Sequence, residues 1–532
     1  MPASFRGRRR AVAALSAAAL ATPLLLVATA SPAAAKTDPV HEGQKLAKQL
    51  VKQSSAKNAH KHLKAFQAIA DRYDGNRAAG TRGHEVSAKY AGTLLKAAGY
   101  KVTYQDFTFT YRETIAERLT VLGTDSRDVP IKLMTYTTST PEGGIEAEVA
   151  EVPRDEDGTT GCTAGDFASG DFTGKIALIQ RGGCTFAAKQ AAAADAGAVG
   201  ALIYNNVDGE LNGTLGDSSA GRIPTGGLSL ADGSALSTEV AGGDTSVNLE
   251  IIEFQEDRST PNVIAETRGG DPDNVVMLGA HLDSVADGPG INDNASGSAG
   301  ILEAALQYSK ATKQWLPHQA KNPKQPANKV RFALWSAEEV GLQGAEHYVS
   351  NLSDAERDRI ALYLNFDMIA SPNYGLFVYD GDDSDGVGAG PGPEGSAQIE
   401  YGINEFIKSR GEEPRGTDFT GRSDYGPFIE IGIASGGTFT GAEGIKTEAQ
   451  RELWGGEAGV AYDACYHQAC DDIKNINMKA FDINIKVIAN AVGNYAWDTS
   501  SLQAEVPFVP TDGDAGSGGG LHDDHDHELD KE

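Results

Sequence analysis

Positive charge is what this chain of 532 residues lacks: 46 lysines and arginines face 74 aspartates and glutamates, a net charge of −28. Nucleic acid wants a basic footprint, so a nucleic-acid partner is not expected. Cysteine is scarce as well. Cys162 and Cys184 flank a Gly-rich stretch, and Cys465 and Cys470 flank Tyr466 and His467. A Cys/His zinc site around the second pair would lack a further pair nearby, whereas in an oxidising compartment two disulfides are the default. Long apolar runs are missing with one exception. Residues 11–30 are Ala/Leu-rich, follow Arg6, Arg8, Arg9 and Arg10, and lead to Ala33, Ala34 and Ala35. That order is an export signal with a small-residue cleavage site, residues 1–35. The alternative is a membrane anchor, but Thr22 and Pro23 interrupt the run. Elsewhere no stretch reaches the roughly 20 apolar residues that a membrane helix needs. Residues 1–35 hold four arginines and no acid, so their removal takes the charge of −28 to −32. A soluble extracellular chain is expected, with no membrane partner after processing.

The length suits more than one domain. Residues 36–59 read as a pro-segment or an N-terminal helix. Apolar spacing predicts helices over His60–Tyr73 and His84–Ala98, then a strand over Lys101–Thr110. Between about 120 and 249 short strand-like pieces (Ile145–Val152, Lys175–Gln180, Ala198–Tyr204, Val247–Ile252) alternate with Gly/Asp/Ser turns, interrupted by an Ala-rich helix, Phe186–Ala196. This is a small β-rich module inserted into a larger domain made of residues 60–119 and 250–502. After Pro261 the pattern becomes strand, loop, helix: strands Asn274–Ala280, Val330–Trp335 and Ile360–Ile369, helices Ser296–Ser309, Gly341–Ser350 and Met478–Trp497, and loops Pro317–Asn328 and Gly381–Gly395. Such alternation predicts an α/β fold, a mostly parallel sheet with helices on both faces. Residues 503–532 read as a disordered acidic tail. Its His522, His525 and His527 could hold metal only weakly.

In an open α/β sheet, ligands gather beyond the carboxyl ends of the strands. His281 follows one predicted strand, Glu338 and Glu339 follow another, and Asp367 lies near the end of a third. Asp293 sits in the loop Gly290–Gly297, and His467 between two cysteines. Singly, each has an ordinary reading: a hydrogen-bonded histidine, acids at helix starts. Together they form a ligand set for two divalent metals. Glu338 and Glu339 repel each other unless a cation lies between them, and a buried Asp367 would cost several kcal/mol unpaired. Glu338 stands beside a ligand, free to move protons. Asp283, two residues after His281, is placed to orient its imidazole or is an exposed turn acid.

Five strings carry a resemblance. They are His281-Leu282-Asp283-Ser284-Val285, Gly290-Ile291-Asn292-Asp293-Asn294-Ala295-Ser296-Gly297, Trp335 to Ala345 with Glu338-Glu339 at its centre, Asn365-Phe366-Asp367-Met368 and Cys465-Tyr466-His467. In this order they resemble the secreted bacterial di-zinc aminopeptidases of metallopeptidase family 28. The likeness spans about residues 60–115 and 255–500. It implies a three-layer αβα peptidase domain. It implies one zinc on His281 and Asp367, another on Glu339 and His467, and Asp293 bridging both, with a cis bond to Asn294. Glu338 would be general base and acid, Tyr466 would stabilise the oxyanion, and Arg422 would line the substrate site. A Cys465–Cys470 disulfide would stiffen the loop of His467. Calcium is a further ion the family can hold; the acidic loop Gly381–Gly395 is either a site for it or a plain solvated loop, the more ordinary reading. Residues 120–249, through Gly174-Lys175 to Thr185-Phe186 and the Ala-rich helix, resemble a protease-associated domain, with Cys162–Cys184 as its disulfide and no catalytic role.

The expected reaction is hydrolysis of a peptide's first bond by metal-activated water. Gly436–Ala442 resembles the family's pocket loop and suggests an apolar pocket for a Leu-like residue. The substrates would be peptide or protein N-termini, and the protein a monomer. A carboxypeptidase on the same scaffold is the nearest rival, but no Arg cluster waits for a carboxylate. A non-catalytic binding protein would have lost ligands that are all present here. A structural zinc site would be closed and Cys-rich.

Overall fold

The computed structural model describes residues 38–124, 126–154, 158–216, 219–313, 325–388 and 390–507. The export signal, most of the loop Pro317–Asn328 and the three tail histidines lie outside them. The central strands are continuous apolar runs because both of their faces are covered. Asp271–His281 has parallel neighbours on both sides, Asn328–Trp335 and Ile360–Phe366, and Ser435–Phe439 adds parallel to the latter. Phe377–Tyr379 joins antiparallel to Ser435–Phe439, and Arg415–Thr417 closes that edge. On the other side, Ser246–Glu266 pairs antiparallel to Asn328–Trp335.

Alternate side chains of Asp271–His281 serve two cores, as strand geometry requires. Val276, Leu278 and Ala280 pack with the helices Ala56–Arg72, Arg82–Ala97, Ala295–Thr312 and Met478–Tyr495. Met277 packs on the opposite face with Trp335, Tyr363 and Phe428. The layers are therefore helix, sheet, helix. The segment read as a pro-segment or helix is the helix Pro39–Gln53, whose Leu46, Ala47 and Leu50 are buried against Met478–Tyr495.

Two strands run much longer than expected. Lys101–Val121 and Ser246–Glu266 form one antiparallel ribbon, where the sequence pattern predicts only Lys101–Thr110 and Val247–Ile252. The middle of the ribbon is wet on both faces, so alternation vanishes there while the backbone ladder continues. At its far end Ile145–Glu151, Ile176–Gln180, Gly200–Tyr204 and Thr225–Leu228 build a second sheet with two cores of its own. The Ala-rich helix Phe186–Asp195 is not alone there. Leu230–Gly242 is also helical, its signal weakened by the internal Gly233. Cys162–Cys184 and Cys465–Cys470 are both disulfides. Among the described residues, no helix is long and apolar enough to cross a membrane.

Candidate metal centre

The acids and histidines collect at the carboxyl ends of the parallel strands. His281 ends Asp271–His281, Asp367 follows Phe366, and Glu338 and Glu339 lie just past Trp335. Asp293 precedes the helix Ala295–Thr312, whose first turn is capped by the Asn294 side chain accepting from Gly297 N at 2.8 Å. The Asp293–Asn294 peptide bond is cis. A Cβ on Gly297 would lie 2.0 Å from Phe366 O, so only glycine lets this helix start touch the strand end and bring Asp293 beside Asp367. His467 stands on the Cys465–Cys470 loop with φ 56°. Ala337 (59°) and Met368 (43°) also hold left-handed backbone beside candidate ligands.

Asp293 lies between two groups. Its Oδ1 is 3.1 Å from His281 Nε2 and its Oδ2 is 3.3 Å from His467 Nε2. His281 Nε2 is also 3.4 Å from Asp367 Oδ1 and 3.7 Å from Glu338 Oε2, and His467 Nε2 is 3.0 Å from Glu339 Oε2. Zinc–ligand bonds of roughly 2.0–2.1 Å give tetrahedral edges of about 3.3 Å, close to these separations. Glu339 Oε1 and Asp367 Oδ1 are buried without a hydrogen-bond partner among the described residues, leaving lone pairs for an ion. Oxygen and imidazole donors with no thiolate suit a catalytic rather than a closed structural zinc. The donor set fits two such ions.

Charge tells the same story. Burial pushes Glu338 far up, with Asp367, Asp424 and Glu339 adding to it against His281. Burial and Asp293 lift Glu339 to about 7. Burial opposes charge on the histidines, yet Glu338 and Asp367 drive His281 well upward, and Glu339 and Asp293 hold His467 at about 11. A dication held here would favour the deprotonated form of each of these groups, opposing the upward shifts.

Of the other expected residues, Asp283 is fully buried. Its Oδ1 lies 3.6 Å from His281 Nδ1, outside hydrogen-bond range, and accepts from Glu338 N at 3.4 Å. Tyr466 stacks on the His467 ring at 3.8 Å, and Arg422 reaches its hydroxyl at 3.3 Å and Glu443 at 2.8 Å. Of the acidic loop, Asp382 meets Asp380, just before it, and Glu400, in the helix Ser396–Lys408 after it, with carboxylate oxygens within 4.8 Å of one another.

Several neighbours were given no role by the motifs, although Trp335 and Asn365 lie inside them. A relay of donors runs Trp335 Nε1 to Tyr363 Oη (2.8 Å), on to Asn365 Oδ1 (2.9 Å), from Asn365 Nδ2 to Ser423 Oγ (2.7 Å), and from Ser423 Oγ to Asp367 Oδ2 (2.6 Å). Asp471, lifted to about 7 by burial, accepts from Asn292 N at 2.8 Å and Asp293 N at 2.9 Å. Asp424 is fully buried, and neither of its oxygens has a hydrogen-bond partner among the described residues. Ser423 and Asp424 adjoin Arg422, and Asp471 adjoins Cys470, so proximity to a motif was their only signal.

An αβα sheet with a cage of histidines and carboxylates at its carboxyl edge defines a metal-dependent hydrolase. Residues 262–492 match the model of Peptidase family M28 and residues 145–236 that of the PA domain. The chain is 44% identical over 468 residues to an aminopeptidase of Pseudomonas aeruginosa (strain UCBPP-PA14), covering 85% of this chain and 83% of that one. It is 43% identical over 436 residues to leucine aminopeptidase 2 of Trichophyton rubrum, covering 82% and 83%. Among solved structures, an aminopeptidase from Aneurinibacillus sp. strain AM-1 aligns with a TM-score of 0.63 at 28% identity, over 84% of this chain and 95% of that one. BSAP, a zinc aminopeptidase from Bacillus subtilis, aligns at 0.52 and 25% identity, over 82% and 94%. The chain belongs to peptidase family M28, with a PA domain inserted in its peptidase domain.

Proposed function

We propose that this chain is an exported, monomeric aminopeptidase that removes apolar, Leu-like residues from the N-termini of peptides and proteins with two zinc ions. The observation that carries the reading is Asp293, whose two carboxylate oxygens face different histidines at 3.1 and 3.3 Å. His281 and Asp367 would hold one ion, His467 and Glu339 the other, and Asp293 both. Bound there, the ions supply Lewis acidity that polarises the scissile carbonyl and acidifies the attacking water.

Glu338 accepts the proton of that water and delivers it to the amine as the C–N bond breaks. The Tyr466 O–H donates to the developing oxyanion. Arg422 orients that hydroxyl. Asp283 steadies the loop of Glu338 through its backbone N–H. The acids of the centre attract the ammonium of a free N-terminus, which favours an aminopeptidase over a carboxypeptidase. Of the arginines nearest the centre, Arg77 is buried on backbone carbonyls and Arg422 is paired with Glu443. Thr438 pairs with Phe366 and Thr440 N donates to Met368 O at 3.1 Å, so Gly436–Ala442 can form a pocket wall beside Asp367. The name of the Trichophyton rubrum relative supports a leucine preference, and two disulfides support export. If the chain also takes calcium, Asp380, Asp382 and Glu400 would hold it.

The test is release of p-nitroaniline from leucine-p-nitroanilide by the mature protein, with chelator, with zinc restored, and with Glu338→Ala. Activity should vanish with chelator, return with zinc, and fall about 10²–10⁴-fold in the variant, the usual range for a lost general base. Cleavage of N-blocked peptides from the C-terminus instead would transfer the assignment to a carboxypeptidase. Equal turnover of Glu- or Lys-terminal substrates would remove the apolar pocket.

A further inference from the structure

The segment between two candidate ligands, His281 and Asp293, contains a stretch, 282–290, with neither helix nor strand. Backbone ladders therefore do not set its shape. Besides the bond from Leu282 N to Trp335 O at 2.7 Å, many of its restraints come from a loop about two hundred positions earlier in the chain, outside the residues that match the M28 model. Arg77 is 0% exposed. Its Nε donates to Pro289 O at 2.9 Å, its Nη2 to Gly290 O at 2.6 Å, and its Nη1 to Leu282 O. Its backbone N–H donates to Ser284 Oγ at 2.9 Å, and that hydroxyl lies 3.1 Å from Gly288 O. Asn76 Nδ2 donates to Ala286 O at 3.1 Å. The guanidinium plane lies against Phe66, 5.3 Å from the ring centroid.

A buried cation that donates only to carbonyls is expensive unless carboxylates lie nearby. Here Asp283, Asp471, Glu339 and Asp293 all act favourably on the guanidinium, Asp283 most strongly. Asp283 Oδ2 itself has no hydrogen-bond partner among the described residues. A planar fork with five donors can hold three carbonyls at once, which an ammonium cannot.

We propose that Arg77 is a positioning residue of the metal centre: its guanidinium pins Leu282, Pro289 and Gly290, and so sets the separation of His281 and Asp293. The inference rests on the two-zinc reading above. Zinc binding is measured directly on metal-free full-length protein by competition with a chromophoric chelator, for wild type, Arg77→Lys, Arg77→Met, Arg77→Ala and Ser284→Ala. Helical circular dichroism monitors folding of each. In the folded Arg77 variants zinc affinity should fall roughly 10–100-fold, the usual effect of losing a group that orients ligands. At saturating zinc, kcat should fall while KM for leucine-p-nitroanilide is held. Millimolar guanidinium should restore part of the affinity to Arg77→Ala, which a merely structural defect would not allow. Wild-type affinity and kcat in folded Arg77→Lys and Arg77→Met overturn the brace. If no Arg77 variant folds, Ser284→Ala decides: reduced zinc affinity supports the brace and unchanged affinity overturns it. Wild-type protein that takes up no zinc removes the metal reading itself, a distinct outcome.

Discussion

Ser423 was invisible as a site residue, yet its hydroxyl donates to Asp367 at 2.6 Å and ends the relay from Trp335. Ser423→Ala should weaken zinc binding about 10-fold or more, with the fold intact, as read by metal titration beside circular dichroism. Glu400 makes a pH prediction. Burial lifts it to about 8, with Asp380 and Asp382 adding to the effect, whereas an unfolded glutamate titrates near about 4.3. Between those values the folded chain keeps a proton that the unfolded chain has lost. Stability is therefore full below the lower value and falls as pH rises toward about 8, by up to about 1.4 kcal/mol per pH unit. Urea midpoints across this window should slope downward for wild type and flatten in Glu400→Gln. Millimolar calcium should remove the wild-type slope by taking the proton's place. A slope untouched by calcium would withdraw the assignment of that ion to this cluster.

Among the elements, the helix Pro39–Gln53 was open to two readings because its sequence is rich in Lys and Gln. The structure buries its Leu46, Ala47 and Leu50 in the main core. Leu50→Ala should cost roughly 2–5 kcal/mol by urea denaturation, the range for a buried leucine truncated to alanine. A loss near zero would mean that the helix is not held. The strand ends at His281 and Trp335 were legible to within a residue because apolar runs stop there, whereas the strand expected over Ile360–Ile369 stops at Phe366, before Asp367. The helix Leu230–Gly242 was not, because Gly233 and a weak amphipathic stripe erase its periodicity. The ribbon was half legible: Phe107 and Phe109 alternate where they pack on Ala79 and Ala337, beside Glu338, and alternation ceases where both faces meet water.

At the scale of the molecule, the two cores of the PA domain share no residue with those of the peptidase domain. The ribbon joins them, and Arg112 faces Gln255 across its exposed middle. Closing it there with an Asn-Gly turn, in place of residues 113–254, should leave a folded enzyme. Its turnover of leucine-p-nitroanilide should stay within about threefold, since domains with separate cores fold separately. A larger loss would give the PA domain a part in the reaction itself.

The chemistry expected of this chain came largely from residue identity and local spacing. Acids and histidines placed at the ends of apolar runs must converge once those runs lie parallel in one sheet, because every carboxyl end then points the same way. The family resemblance rested on those same strings. Tertiary structure alone decided what supports them. Arg77, Ser423, Asn365 and Asp471 make contacts that no local pattern encodes. A side chain that reaches a carbonyl two hundred positions away leaves no periodicity to read, only a place in the packed fold.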